Sequence, residues 1–386
     1  MGEFSIPGAT IGVVGGGQLG RMMAEAASPL GVRLDVLDPT PHCPAAPVAG
    51  RQVVACFDDE QAIRRLADSV DVLTYEIELA DPDALERISE ETTTRVHPAP
   101  ETLRMIQDKL EQKRTLKAAG IPVPPFAAVN SVDDLAAAAE RFGYPVMLKA
   151  RRGGYDGHGN LPVEGPEEVA SAFAAIDGPA MVEAFVDFTR ELSVIGVKGA
   201  TERDSFEPAE NIHEAEILRA SIVPARTAQS TRDRARALAN DALDELTGRG
   251  VYGIELFETP DGEILVNEIA PRPHNSGHWT IEGATVSQFE QHVRAVLGAP
   301  IGSTASRGAT AMANVLGDVD SPARARPIGV DEILSAGDVN IHWYGKREVR
   351  PLRKMAHLTM TDPDRDAAPQ LLAAVREQRR KISFRS

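Results

Sequence analysis

The chain has 386 residues, 42% of them hydrophobic and 25% charged, with a formal net charge of −16. That length exceeds one ordinary hydrophobic core and predicts two or three packed domains, while the composition excludes a disordered or collagen-like chain. The acidic balance argues against a broad nucleic-acid surface, which needs clustered Lys and Arg, but leaves room for a local basic pocket. Cys43 and Cys56 are the only cysteines, which excludes a Cys-rich zinc site or a disulfide scaffold and fits a reducing cytoplasm. No charged segment followed by a long apolar run opens the chain, and no stretch approaches the roughly 20 apolar residues that span a bilayer. A soluble, cytoplasmic protein without membrane partners is therefore expected.

The opening ATIGVVGGGQLGRMMAEAA reads as a buried strand over 9–14, a glycine turn, and a helix with Met22, Met23 and Ala26 at helical spacing. Apolar strands follow at RLDVLDP and VDVLTYE, and their alternation with helical stretches predicts a parallel sheet. A helix through QDKLEQKRTLKAAG stops at Gly120 and IPVPP, which places a first boundary near residue 108. SVDDLAAAAERFG reads as a helix capped by Ser131 and Asp134. The strand PVMLKA, the loop RRGGYDGHGN, the strands AMVEAFV and ELSVIGVKG, and the helix TRDRARALANDALDEL follow. GIELFETPDGEILVNEIAP reads as a hairpin turning at Pro260-Asp261-Gly262. The small-residue segment GAPIGSTASRG links to a C-terminal domain beginning near residue 308.

Five constellations carry chemistry. Gly15 to Gly20 (GGGQLG) has G-x-G-x-x-G spacing between strand and helix, with Asp38 ending the next strand. Alone this favours a dinucleotide, although helix N-terminal amides attract any phosphorylated ribose. Gly153 to Gly159 (GGYDGHG) follows Lys149, either as a flap closing over phosphate oxygens or as a surface turn beside a snorkelling lysine. Glu255, Asn267 and Glu268 lie on the hairpin. A two-residue turn at Pro260-Asp261 sets Glu255 opposite Val266 and diagonally beside Glu268, roughly 7 Å away, whereas a one-residue bulge is expected to separate the two glutamates. Such a pair holds magnesium or forms a solvated face. Arg272, His274, Asn275 and His278 crowd the loop PRPHNSGHWT, which suits polar substrate readers better than zinc. HWYGKREVRPLRKMAH brings five cationic side chains together, as a solvated strand pair or as a phosphate clamp of Lys346, Arg353 and Lys354.

In order, GGGQLGRM, TYEIE, QDK, GGYDGHG, NEIAPRPHNSGHWT and RPLRKMAH resemble the N5-carboxyaminoimidazole ribonucleotide synthases, ATP-grasp ligases of purine biosynthesis, from about residue 10 to 360. The resemblance implies an α/β fold, α+β in its central part, of ATP-grasp architecture. A Rossmann-like domain would span 1–107 and the ATP-grasp domain 108–300, with a lid at about 120–186 and a C-terminal domain over 308–386. It implies ATP- and bicarbonate-dependent carboxylation of aminoimidazole ribonucleotide through carboxyphosphate, with magnesium on Glu255 and Glu268, in a homodimer.

Nucleotide contacts carried over by matching motif are Lys109, Lys149, Gly153, Gly154, Tyr155, Asp156, Gly157, His158, Gly159, Glu183, Ala184, Phe185, Val186, Glu191, His213, Asn267 and Glu268. Gln18, Leu19 and Glu76 would line the ribonucleotide, and Lys346, Arg353 and Lys354 its phosphate. Tyr155, Asp156, Arg272, His274 and Asn275 would surround its reacting end, with Asp156 or His274 accepting the amine proton. The alternatives are formate-dependent formylation of glycinamide ribonucleotide and a nicotinamide-dependent dehydrogenase. Leu352 and Ala356 replace the usual glycines of the C-terminal motif, Lys346-Arg347 adds a residue before Glu-Val-Arg, and Glu216 stands where glycine is more usual.

Overall fold

A computed structural model describes residues 6–153, 159–176 and 178–385. The small and β-branched run Thr10–Val14 (β1) forms the middle strand of a parallel sheet, because both its faces are covered. Among the described residues the strands are β1, Arg33–Leu37 (β2), Arg51–Val53 (β3), Val72–Tyr75 (β4) and Arg95–Val96 (β5), in the order β3-β2-β1-β4-β5. This is the expected Rossmann-like arrangement. Helix α1, Gln18–Ala27, follows the glycine turn and buries Leu19, Met22 and Met23 on the sheet.

The same helix packs on Gln288–Val296 through Phe289, Val293 and Val296, so the N-terminal layer is tied to the centre of the molecule by an apolar core. A buried imidazole adds a directional link. His292 Nδ1 accepts from the Val251 amide at 3.1 Å, which leaves Nε2–H to donate to Thr74 Oγ1 at 2.9 Å. Burial pushes His292 down to about 3, so it stays neutral in that tautomer.

Phe126–Val129, Ala180–Ala184, Val146–Ala150 and Asn160–Val163 form a small antiparallel sheet in that spatial order. Its helix, Val132–Phe142, is capped by Ser131 Oγ, which accepts from the Asp134 amide at 3.1 Å. Asp134 reaches back one residue further than an ordinary capping box and accepts from the Asn130 amide at 2.9 Å.

The main sheet runs Ile264–Ala270, Gly250–Glu258, Arg190–Lys198, Ala209–Glu214, Ile217–Val223, Ala309–Leu316, Lys354–Asp362, Asn340–Trp343. It passes without a break across the junction near 308, because Ala220 of one strand pairs with Ala313 of the next. The C-terminal strands therefore extend the central sheet, and helix Ala368–Arg380 covers them with Leu371, Leu372 and Val375. Among the described residues no helix is long and apolar enough to cross a membrane.

Two of the sequence departures fall where backbone geometry matters. Glu214 pairs with Ile217, so Ala215 and Glu216 form a two-residue turn, at φ 51° and 60°. Leu352 sits at φ 60°, while Ala356 is an ordinary buried strand residue paired with Val315. Left-handed backbone brings a side chain's Cβ against its own carbonyl, a cost that glycine avoids. Glu216→Gly and Leu352→Gly should each stabilise the protein by about 1 kcal/mol. Urea unfolding checks this, and a lower midpoint for either variant would show that its side chain makes contacts worth more than the strain.

Candidate active site

The site is built around the hairpin of Gly250–Glu258 and Ile264–Ala270. Its loop has three residues, with Gly262 left-handed at φ 82° and the Thr259 amide donating to Glu263 O at 3.0 Å. The two-residue turn expected from sequence is therefore corrected, and the odd loop shifts the pairing so that Leu256 meets Val266. Asn267 is then an extra residue, a bulge, and the next pair is Glu255 with Glu268. The bulge brings the two carboxylates directly opposite each other, where a bulge was expected to part them.

Burial, and then the Glu268 charge, push Glu255 up to about 7. Burial also opposes ionisation of Glu268, but Lys109 Nζ at 2.6 Å outweighs it and holds that carboxyl below its usual range. His274 Nε2 lies 3.5 Å from Glu255 Oε1. Burial, then Arg272 and Lys354, hold His274 well below the normal imidazole range, so it is neutral. Its Nδ1 meets Ser276 Oγ at 2.8 Å, which leaves Nε2 facing the glutamates. Asn267 Oδ1 is buried with no hydrogen-bond partner among the described residues. Two facing carboxylates, with an unpaired buried amide oxygen on the bulge residue next to one of them, suit a hard divalent cation such as magnesium.

Beside them, Lys149 Nζ sits 2.6 Å from Glu183 Oε2, and Lys113 Nζ 3.0 Å from Glu183 Oε1. Burial alone would raise Glu183, but the two ammonium groups bring it down to about 2. Arg151 forks onto Asp108 at 2.9 and 2.5 Å, and the Lys109 amide donates to Arg151 O at 2.9 Å, so the base of the glycine flap is anchored to the QDK helix. Gly153 and Gly159 bound the flap at φ 77° and 85°. Gly154, Tyr155, Asp156, Gly157 and His158 lie outside the described residues. Glu191 Oε2 meets His213 Nδ1 at 2.9 Å. Burial lowers His213, but that carboxylate more than compensates and raises it. The strand ends at Ala184, which pairs with Val146 and donates to Pro125 O at 2.8 Å, and Phe185 is half exposed ahead of Val186.

The first glycine loop is already filled. Gly17 and Gly20 amides donate to the Glu76 carboxylate, and the Gly16 amide donates to Asp38 Oδ2 at 3.0 Å. A carboxylate thus occupies the anion seat at the helix N-terminus that a dinucleotide would need. Asp38 is committed to the loop as well, accepting from the Thr40 amide at 2.8 Å. The dinucleotide reading is corrected on these grounds. Glu76 consequently shapes the loop rather than standing open as a ribonucleotide reader, and the Leu19 side chain turns into the core.

Gln18 does meet the C-terminal strands. Lys346 Nζ donates to Gln18 Oε1 at 2.9 Å and to Lys354 O at 2.6 Å. Arg353 Nη1 donates to Glu348 O at 2.9 Å, beside the left-handed Leu352. Arg272 pairs with Glu78 at 2.8 Å. Asn275 is buried and exchanges amide hydrogen bonds with Asn314 at 3.1 and 2.7 Å, so its side chain holds the loop rather than facing the cleft. His278 is also enclosed, between Gln288 at 3.2 Å and Gln18 at 3.4 Å.

Lys113, Asp108, Glu78 and Asn314 were not singled out from sequence. Lys113 carried a legible signal, since it lies one helical turn after Lys109 on the same face. Glu78 stands in the quoted TYEIE, two residues after Glu76.

Three family models match consecutive parts of the chain. They are a ribonucleotide synthetase preATP-grasp domain over 8–107, an ATP-grasp domain over 114–289, and a phosphoribosylaminoimidazole carboxylase C-terminal domain over 310–370. The N5-carboxyaminoimidazole ribonucleotide synthase of Brucella melitensis is 42% identical over 92% of this chain and 97% of its own length. The chain belongs to the N5-carboxyaminoimidazole ribonucleotide synthase family. The family member of Bacillus subtilis is 40% identical over 94% of each chain. The crystal structure of the Thermotoga maritima synthetase superposes with a TM-score of 0.87 at 40% identity, covering 98% of this chain and 99% of that one. An Aspergillus clavatus synthase solved with ADP and 5-aminoimidazole ribonucleotide gives a TM-score of 0.89 at 35% identity, over 97% and 99%.

The raised Glu255 carries a pH dependence. Its unfolded carboxyl titrates near 4.5 and its folded one at about 7, so the folded state holds the proton more tightly. Stability is therefore lost as pH rises between those values. Without divalent cations, Glu255→Gln should be more stable than wild type at about pH 8, by up to roughly 3 kcal/mol, with the gain vanishing towards about pH 4.5. Denaturant unfolding at the two pH values tests it, and a pH-independent difference would refute the titration of this pair.

Proposed function

We propose that the chain catalyses the ATP- and bicarbonate-dependent carboxylation of 5-aminoimidazole ribonucleotide to N5-carboxyaminoimidazole ribonucleotide, in purine biosynthesis. The observation that carries this reading is the Glu255–Glu268 pair at the Asn267 bulge, with Lys109 on Glu268 and Lys149 close by on Glu183. Family membership over nearly the whole chain supports it. A bicarbonate oxygen would attack the γ-phosphorus of ATP, forming carboxyphosphate and releasing ADP. The exocyclic amine would then attack the carboxyl carbon, phosphate would leave, and the amine proton would pass to a base.

Neutral His274 accepts from the Ser276 amide at Nδ1, so Nε2 carries the ring proton and is a donor towards Glu255, and Asp156 would be the acceptor of the amine proton. Magnesium held by Glu255, Glu268 and Asn267 would supply charge neutralisation during phosphoryl transfer. Lys149 and the flap would hold the phosphates, and a closed flap would keep water from the labile anhydride. On this reading Gln18 and Lys346 meet at the ribonucleotide's edge, and Lys346, Arg353 and Lys354 take its phosphate. A cytoplasmic homodimer is part of the same proposal.

The test is phosphate release from MgATP and bicarbonate with and without aminoimidazole ribonucleotide. Strong stimulation is expected, and Glu268→Gln should reduce it on the order of 100-fold, roughly 3 kcal/mol of transition-state stabilisation. Stimulation by glycinamide ribonucleotide and formate instead would move the substrate while keeping the ligase chemistry.

A further inference from the structure

Lys113 is 2% exposed, on the helix Lys109–Ala118, and its ammonium lies in the cleft floor. It has two fixed partners, Glu183 Oε1 at 3.0 Å on the lid-side strand and Val266 O at 3.2 Å beside the Asn267 bulge. Glu183, 3% exposed, has a second cation, Lys149, at 2.6 Å on its other oxygen. The two lysines are not equivalent. Lys113 is pinned by a backbone carbonyl and enclosed, whereas the Lys149 side chain is 12% exposed on the strand that runs into the flap.

A carboxylate this deeply buried is strongly destabilising if its only counter-charge leaves. Were Lys149 alone to neutralise Glu183, drawing Lys149 towards a bound phosphate would strand that carboxylate. Lys113 removes the conflict, because it stays in place when Lys149 moves.

We propose that Lys113 is a positioning residue that serves as the permanent counter-ion of Glu183 and thereby releases Lys149 to bind nucleotide phosphate. The inference rests on the ATP-binding reading above and assigns Lys113 no contact with substrate. Its effect runs through competition between Glu183 and the phosphates for one ammonium group. Removing the Lys113 charge should tighten Lys149 onto Glu183 and weaken nucleotide, while removing both the Lys113 and the Glu183 charges should leave Lys149 available again.

Equilibrium binding of ATP to the full chain tests this, with Lys113→Met, Lys149→Met and the double variant Lys113→Met/Glu183→Gln. Lys113→Met is expected to bind ATP about tenfold more weakly than wild type, and the double variant to recover to within about threefold of it, since the nucleotide contact expected at Glu183 is made by its backbone, which Gln keeps. Should Lys113→Met fail to fold, the double variant, which buries no unpaired charge, still decides the question, since recovered binding supports the proposal. Unchanged affinity in Lys113→Met, or a folded double variant as weak as Lys149→Met, would overturn it, because a purely structural role for Lys113 gives no rescue. Wild type that binds no ATP would instead defeat the functional reading on which the inference rests.

Discussion

Two glutamates held face to face in a half-enclosed cleft repel, and much of the surrounding structure manages that repulsion. The Asn267 bulge creates the contact, Lys109 neutralises one member, and the other is left near neutrality beside an uncharged His274. An arrangement so unfavourable to itself is suited to a cation that arrives with its substrate. The apolar cores behind the hairpin, with Leu256, Val266 and Ile269 fully buried, provide the rigidity that keeps the carboxylates from turning apart.

Charges in the cleft are arranged in layers. Glu183 is sandwiched between Lys113 and Lys149, Asp108 between its helix N-terminus and Arg151, and Arg272 is matched by Glu78. Each of these three carboxylates therefore has a fixed donor. This explains how a chain of net charge −16 keeps a locally cationic floor for phosphates.

The C-terminal strands matter for the same reason. Because Ala309–Leu316 continues the central sheet, Lys346 and Lys354 are carried to the N-terminal helix, and Lys346 reaches Gln18 across more than three hundred residues of chain. Leu352 at a left-handed position bends the loop between them without the glycine that normally makes such a bend inexpensive.

Local patterns settled a good deal without coordinates. Strand–glycine–helix at residues 10–27, the capped helix after Ser131, and the hairpin around Gly262 follow from turn chemistry and periodicity, and the ordered motifs identified the family. What residues near in sequence could not decide was pairing parity and partner choice. A three-residue loop and one bulge, each shifting register by one, set whether Glu255 and Glu268 meet, and no local propensity encodes their sum. Whether the first glycine loop takes a ligand depended on Glu76, dozens of residues away, entering its amides. Such outcomes rest on long-range packing, which places a charge or a donor where the chain's own neighbourhood carries no trace of it.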